Sequence, residues 1–237
     1  MTVVLAALAD LVLPAECAGC RTAHVPLRQG TCAACAAALA ALRPRAVRPE
    51  PAPPGLPPCV AAGEYAGPLR EALLAYKERG RVSLAAPLGA LLAESVATAA
   101  GGVRRPVLLL PVPSTAAAVR ERHGDHLRRL ADRAAKRLRR AGWPTLVAQP
   151  VRALPKPDAT HLDSAQRAIA AAAAFGLRPS RHARAAERAA SGSAVVVVDD
   201  IVTTGATLAA LTTLLTRAKI PVEAAALIAA TRKRHPQ

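Results

Sequence analysis

The feature that most constrains this chain is the run Val195-Val196-Val197-Val198-Asp199-Asp200-Ile201-Val202-Thr203-Thr204-Gly205-Ala206-Thr207. Four consecutive valines suit a strand buried on both faces. Two carboxylates end the predicted strand, a Thr/Gly loop follows, and a helix is expected over 206–218. A buried strand feeding a helix through a short loop belongs to a parallel α/β sheet. In such sheets ligands bind beyond the carboxyl ends of the strands. The helix start offers unpaired amides and a partial positive charge, which suit a phosphate. Gly205 lets the backbone come close to a ligand, Thr203, Thr204 and Thr207 add hydroxyl donors, and Ala206 opens the helix. Asp199 and Asp200 would repel a phosphate and accept instead from neighbouring hydroxyls. A ligand with a phosphate at one end and a diol at the other is a ribose 5-phosphate. Neither a Gly-Lys-Ser/Thr phosphate loop nor a Gly-x-Gly-x-x-Gly fingerprint after a strand is present.

The pattern around this run repeats the same alternation. Strands are expected over 60–65, 106–112, 143–151 and 222–230. Helices are expected over 68–76, 84–99, 127–141 and from Asp163 to Phe175. Strands alternating with helices predict an α/β fold with a parallel sheet flanked by helices.

The first 42 residues are of another kind. Cys17-x2-Cys20 and Cys32-x2-Cys35 are separated by eleven residues. Two such knuckles bring four thiolates onto one ion, which meets the tetrahedral preference of zinc. Four protein ligands leave no open position, so the predicted site is structural. Cys59 stands apart and reads as a free buried thiol. Residues 43–58 hold a dense series of prolines and are expected to form an extended, semi-rigid spacer. The expected organisation is therefore an apolar leader helix with a four-cysteine zinc ribbon over 1–42, a linker over 43–58, and an α/β domain over 59–237.

A formal charge of +16 favours an anionic partner. Nucleic acid, a phosphorylated sugar and an acidic protein all qualify. Aromatic residues make up only 2% of the chain, so few bases could be stacked, and any nucleic-acid contact would lean on phosphates. The apolar start, Met1 to Leu13, lacks a basic n-region and a cleavage site, and no membrane span is expected. A cytoplasmic chain follows as the expectation, where cysteines serve as metal ligands or free thiols.

The run 195–207 resembles the signature of type I phosphoribosyltransferases. The resemblance implies that Asp199 and Asp200 hold the ribose 2′- and 3′-hydroxyls of 5-phosphoribosyl-1-diphosphate (PRPP). It implies that 203–207 wrap the 5′-phosphate and that Mg²⁺ accompanies the substrate. It also places the pyrophosphate beside Pro113, Ser114, Arg120, Arg122 and Lys77, in the segments Pro111-Val112-Pro113-Ser114, Arg120-Glu121-Arg122 and Tyr76-Lys77-Glu78. Together with the cysteine knuckles and the leader Leu8 to Pro14, these motifs resemble the ComF family, associated with DNA uptake in competence. Two segments depart from that family's pattern: Arg122-His123-Gly124-Asp125-His126 stands for Arg-Gly-Phe-Asn-Gln, and Ala170 replaces an asparagine after Arg167. His123 and His126 read as polar surface residues. Three readings stay open. One is phosphoribosyl transfer to an unknown acceptor with release of pyrophosphate. The alternative is a non-catalytic competence factor that senses PRPP or a nucleotide and contacts single-stranded DNA or a helicase partner. The third is a regulatory PRPP sensor with no DNA role.

Overall fold

In the computed structural model of the chain, the described residues are 16–122, 124–154 and 174–231. The expected leader helix, His123, Arg167 and Ala170 lie outside them. The elements run in the order α1 (Ala33–Ala40), β1 (Arg45–Val47), β2 (Cys59–Glu64), α2 (Gly67–Glu78), a 3₁₀ turn (Val82–Leu84), α3 (Ala85–Ala99), β3 (Val107–Pro111), α4 (Ala116–Glu121), α5 (His126–Arg140), β4 (Thr145–Val147), β5 (Val151–Ala153), β6 (Phe175–Leu177), α6 (Pro179–Ala190), β7 (Ala194–Val202), α7 (Ala206–Arg217) and β8 (Ala224–Ala230). Six strands form one sheet in the order β1-β2-β8-β7-β3-β4, and β5 and β6 pair separately. All neighbours in the six-stranded sheet are parallel except β1 and β2. The fold is thus a mixed α/β architecture with a mostly parallel central sheet flanked by helices.

The centre of the sheet is β7, between β8 and β3. Val195 to Val198 are almost completely buried, as are all residues of β3 and β8. Such near-continuous apolar runs are what a parallel sheet covered on both faces requires. A buried hydroxyl ties helix to sheet: Ser95 Oγ on α3 donates to the Leu227 carbonyl on β8 at 2.8 Å. On α5 the buried positions Leu127, Leu130, Ala131, Ala134, Ala135 and Leu138 fall on one helical stripe. Its arginines occupy the opposite side. Asp125 caps the helix by accepting from the Arg128 amide at 2.9 Å.

The strand expected over 143–151 is two strands in different sheets, because Pro150 lacks an N–H and cannot extend the ladder begun by β4. The helix expected from Asp163 to Phe175 lies almost wholly outside the described residues, and Phe175 itself opens β6, where it pairs with Ala153. Part of the proline-rich spacer is in the sheet: Arg45 to Val47 pair antiparallel with Ala61 to Cys59. The segment Val82–Ala99 has the length and mean hydropathy (1.5) of a membrane span, yet it is 50% buried inside the fold, as a core helix is.

The tightest helix contact is between α3 and α5. A Cβ on Gly89 would lie 2.5 Å from Arg133 Cβ and 3.4 Å from the Leu130 carbonyl. Gly89→Ala should therefore lower stability by about 1–3 kcal/mol, overpacking outweighing the better helix propensity of alanine. Thermal unfolding of the variant should show a melting temperature several degrees lower.

Candidate functional site

The acidic pair does not end β7, as the sequence suggests, but sits inside it. Asp199 is level with Leu227 of β8, and the ladder continues to Val202 opposite Ala230. The strand runs on because β8 offers a partner of matching length. The two carboxylates lie close enough to interact directly, and Lys77 acts on both. Asp200 meets Lys77 near the end of α2, Nζ to Oδ2 at 2.8 Å, and both side chains are mostly buried. The Asp199 carboxylate accepts from the Asp200 amide at 2.9 Å. Burial first, and then the charge of Asp200, push Asp199 up to about 8, against the opposing pull of that amide and of Lys77.

Beyond Val202 the chain makes a tight loop and enters α7 without a side-chain cap. Gly205 takes φ +76°, a left-handed conformation that costs a non-glycine residue energy. Space demands glycine as well: a Cβ there would lie 2.9 Å from Leu56 Cδ1 and 3.4 Å from Pro49 Cγ. The proline-rich segment therefore packs directly on this loop. Thr203, Thr204 and Thr207 are exposed, and the loop with Asp199 encloses a depression of about 40 Å³. The Thr204 hydroxyl accepts from the Ala206 amide at 3.4 Å. An uncapped helix start with three hydroxyls around it is suited to an anion.

On the other side of β7, the Val112 amide donates to the Val198 carbonyl at 3.0 Å, which sets Pro113 and Ser114 at the crest beside the acidic pair. Both are half-buried. Arg122, at the end of α4, reaches Glu78 at 3.3 Å and keeps a buried Nε without a partner among the described residues. Glu78 follows Lys77, so Arg122 reaches the same end of α2 that carries Lys77. Arg120 is exposed, and no contact joins it to this cluster among the described residues.

His126 is not the surface residue expected from sequence. It is 7% exposed, its ring lies 5.1 Å from that of Tyr76, and the Tyr76 hydroxyl donates to its carbonyl at 3.0 Å. Burial, then Arg122, Arg129 and Lys77, lower its pKa. This contact pins the end of α2, and so Lys77, to the start of α5. The only sequence signal for it was that Tyr76 immediately precedes Lys77.

The four cysteines expected as ligands converge. The Sγ atoms of Cys17, Cys20, Cys32 and Cys35 lie within 4.8 Å of one another. The Cys20 and Cys32 sulfurs are 3.8 Å apart, about the edge of a tetrahedron with metal–sulfur bonds of about 2.3 Å. The amides of Cys32 and Gly19 donate to Cys17 Sγ at 3.2 and 3.4 Å. Burial opposes ionisation of Cys17, but the amides of Cys20, Cys32 and Gly19 outweigh it and bring the thiol down to about 6. Burial first, and then the neighbouring Cys32, Cys17 and Cys20 side chains, raise Cys35. Gly19 is needed for close approach, since a Cβ there would lie 2.7 Å from Cys35 Sγ. The donor set fits a metal such as zinc. Cys59 is buried, donates to the Pro57 carbonyl at 3.2 Å, and is pushed up to about 11 by burial, with Arg48 opposing.

Comparison with known families agrees with this geometry. Residues 128–237 match the model of the phosphoribosyl transferase domain. The match includes β7, the loop after it and α7, and begins within α5. The chain thus carries a phosphoribosyl-transferase-type domain beside a four-cysteine cluster. No curated protein matches the chain.

Two outcomes follow from the site. The folded state holds a proton on Asp199 that the unfolded chain has already lost between about pH 4 and pH 8. Stability from this group is therefore complete below pH 4 and lost as pH rises through 8. Asp199→Asn should raise the melting temperature relative to the parent, with a gain that grows from pH 4 and levels off above pH 8. At the cysteines, a zinc-holding cluster predicts that elemental analysis finds one zinc per chain in the parent and toward zero in Cys17→Ser or Cys35→Ser. Limited proteolysis should then cut within residues 16–42, because a segment with so little core takes its fold from the metal.

Proposed function

We propose that this protein binds PRPP and transfers its 5-phosphoribosyl group to an acceptor, with release of pyrophosphate. The observation that carries this reading is the juxtaposition, on one strand end, of a carboxylate pair and an uncapped helix start a short loop further on. In this reading the α7 amides and the hydroxyls of Thr203, Thr204 and Thr207 hold the 5′-phosphate. Asp199 and Asp200 accept from the ribose hydroxyls. The acceptor's lone pair forms a bond to C1′, the bond from C1′ to the pyrophosphate oxygen breaks, and its electron pair leaves with pyrophosphate. Positive charge develops on the sugar in that transition state, and two carboxylates nearby stabilise it. Lys77 and Arg122 meet the departing charge. The oxygen donors Asp199 and Asp200 fit Mg²⁺, which would neutralise pyrophosphate when bound with the substrate. The four cysteines leave no open coordination position, so zinc there is structural.

A second reading, contact with single-stranded DNA in a ComF-type competence role, draws support from one surface. Arg133, Lys136, Arg137 and Arg140 line a groove of about 660 Å³ between α3 and α5. With no aromatic platform beyond the buried Trp143, such contact would be to phosphates and would weaken steeply with salt.

Calorimetric titration tests the first reading. PRPP with Mg²⁺ should bind the parent protein, and Asp199→Asn with Asp200→Asn should weaken binding at least tenfold. Unchanged affinity in the double variant would remove the assignment.

A further inference from the structure

The loop depression after β7 and a larger cavity of about 510 Å³ have Val202 and Thr203 as common lining residues. One wall is the ends of β7, β8 and β2, including Thr203, Thr231 and Glu64. The other is the segment expected to be a mere spacer, Arg48 to Pro51, with Arg45 from β1. This wall is fixed in place. It is anchored by the β1–β2 ladder on one side and by Pro49 and Leu56 packed on Gly205 on the other. A flexible tether would make neither contact.

We propose that this cavity is the acceptor site, with the proline-rich segment as its wall, and that it takes a small nitrogen nucleophile bearing a carboxylate. The inference rests on the phosphoribosyl-transfer reading and adds the substrate class to it. Its size suits a small ligand, for which pockets run from roughly 300 to 1,000 Å³. Its chemistry selects the class. No aromatic side chain among the described residues lines it, so an uncharged base would lose the stacking that usually holds one. Arg45 is already engaged by Glu64 at 2.8 Å. Arg48 and Glu50 line the same cavity and make no hydrogen bond or ion pair among the described residues. The Arg48 guanidinium is a fork for a carboxylate. Glu50 is an acceptor for the N–H of the nucleophile. In the transfer the nitrogen lone pair attacks C1′, the C1′–O bond breaks toward pyrophosphate, and the proton leaves the nitrogen toward Glu50 or water.

The test uses the full chain with saturating ribose 5-phosphate as a non-reactive companion, its binding checked by calorimetry. Ligand-observed NMR then compares anthranilate, nicotinate and orotate with aniline, adenine and uracil. At least one carboxylate-bearing compound should bind, and better than its uncharged counterparts. Arg48→Glu should weaken it at least tenfold, while Arg181→Glu, on the exposed face of α6, should not. Ribose 5-phosphate affinity should stay within twofold in both variants. Pyrophosphate release from Mg-PRPP should follow the same order of compounds. Equal or weaker binding of the carboxylates, or binding indifferent to Arg48→Glu, overturns the inference while leaving the parent reading standing. Failure of the parent protein to bind ribose 5-phosphate or PRPP is a different result: it removes the phosphoribosyl reading, and this site with it.

Discussion

Two adjacent carboxylates in the central strand of a buried sheet repel each other and lose hydration, and the Lys77 ammonium at 2.8 Å from Asp200 is what offsets part of that cost. Much of the surrounding arrangement serves this pair. Lys77 is at the end of α2, and α2 is held by the buried Tyr76 hydroxyl on the His126 carbonyl. His126 begins α5, whose apolar stripe packs on α3 and the sheet. Asp199 accepts from the Asp200 amide and is pushed toward protonation by burial and by the charge of Asp200. In the proposed reading, the hydroxyls of a sugar diol would donate to this pair.

The same strand end explains the position of the proposed anion site. Parallel strands all finish at one edge, and the helix that follows the central strand starts there without a side-chain cap from Gly205. The β3 crest arrives on the same edge because β3 is hydrogen-bonded to β7 along its length. Lys77 reaches it from α2, whose end Arg122 contacts through Glu78. The cysteine cluster is a separate device: it organises a segment with little core through thiolates and amides and contributes no group to the acidic pair.

Some of this was legible in the residues. The valine run announced the buried strand because no other element hides four β-branched residues in a row. Gly205 announced the loop, and the cysteine spacing announced the four-thiol cluster. Other parts were not legible. That the acidic pair lies within the ladder depends on the length of β8, which is distant in sequence. His126 looked polar and exposed, and only the packing of α5 on α2 buries it. Arg120 and Arg122 are two residues apart and look equivalent, yet one points to solvent and the other reaches Glu78, because α4 ends between them.

The proline-rich segment marks the division most clearly. Its composition determined that it would be extended, since proline fixes φ and removes donors. Composition could not say what an extended segment lies against. Tertiary structure made Arg45 to Val47 an edge strand and brought Pro49 and Leu56 onto Gly205. By itself the sequence determined the strand, the phosphate-type loop and the four thiolates, because each depends on residues close together in the chain. The Lys77–Asp200 pair, the burial of His126 and the cavity walled by Arg48 and Glu50 join residues far apart in the chain. Only the packing of the sheet and its helices could decide those.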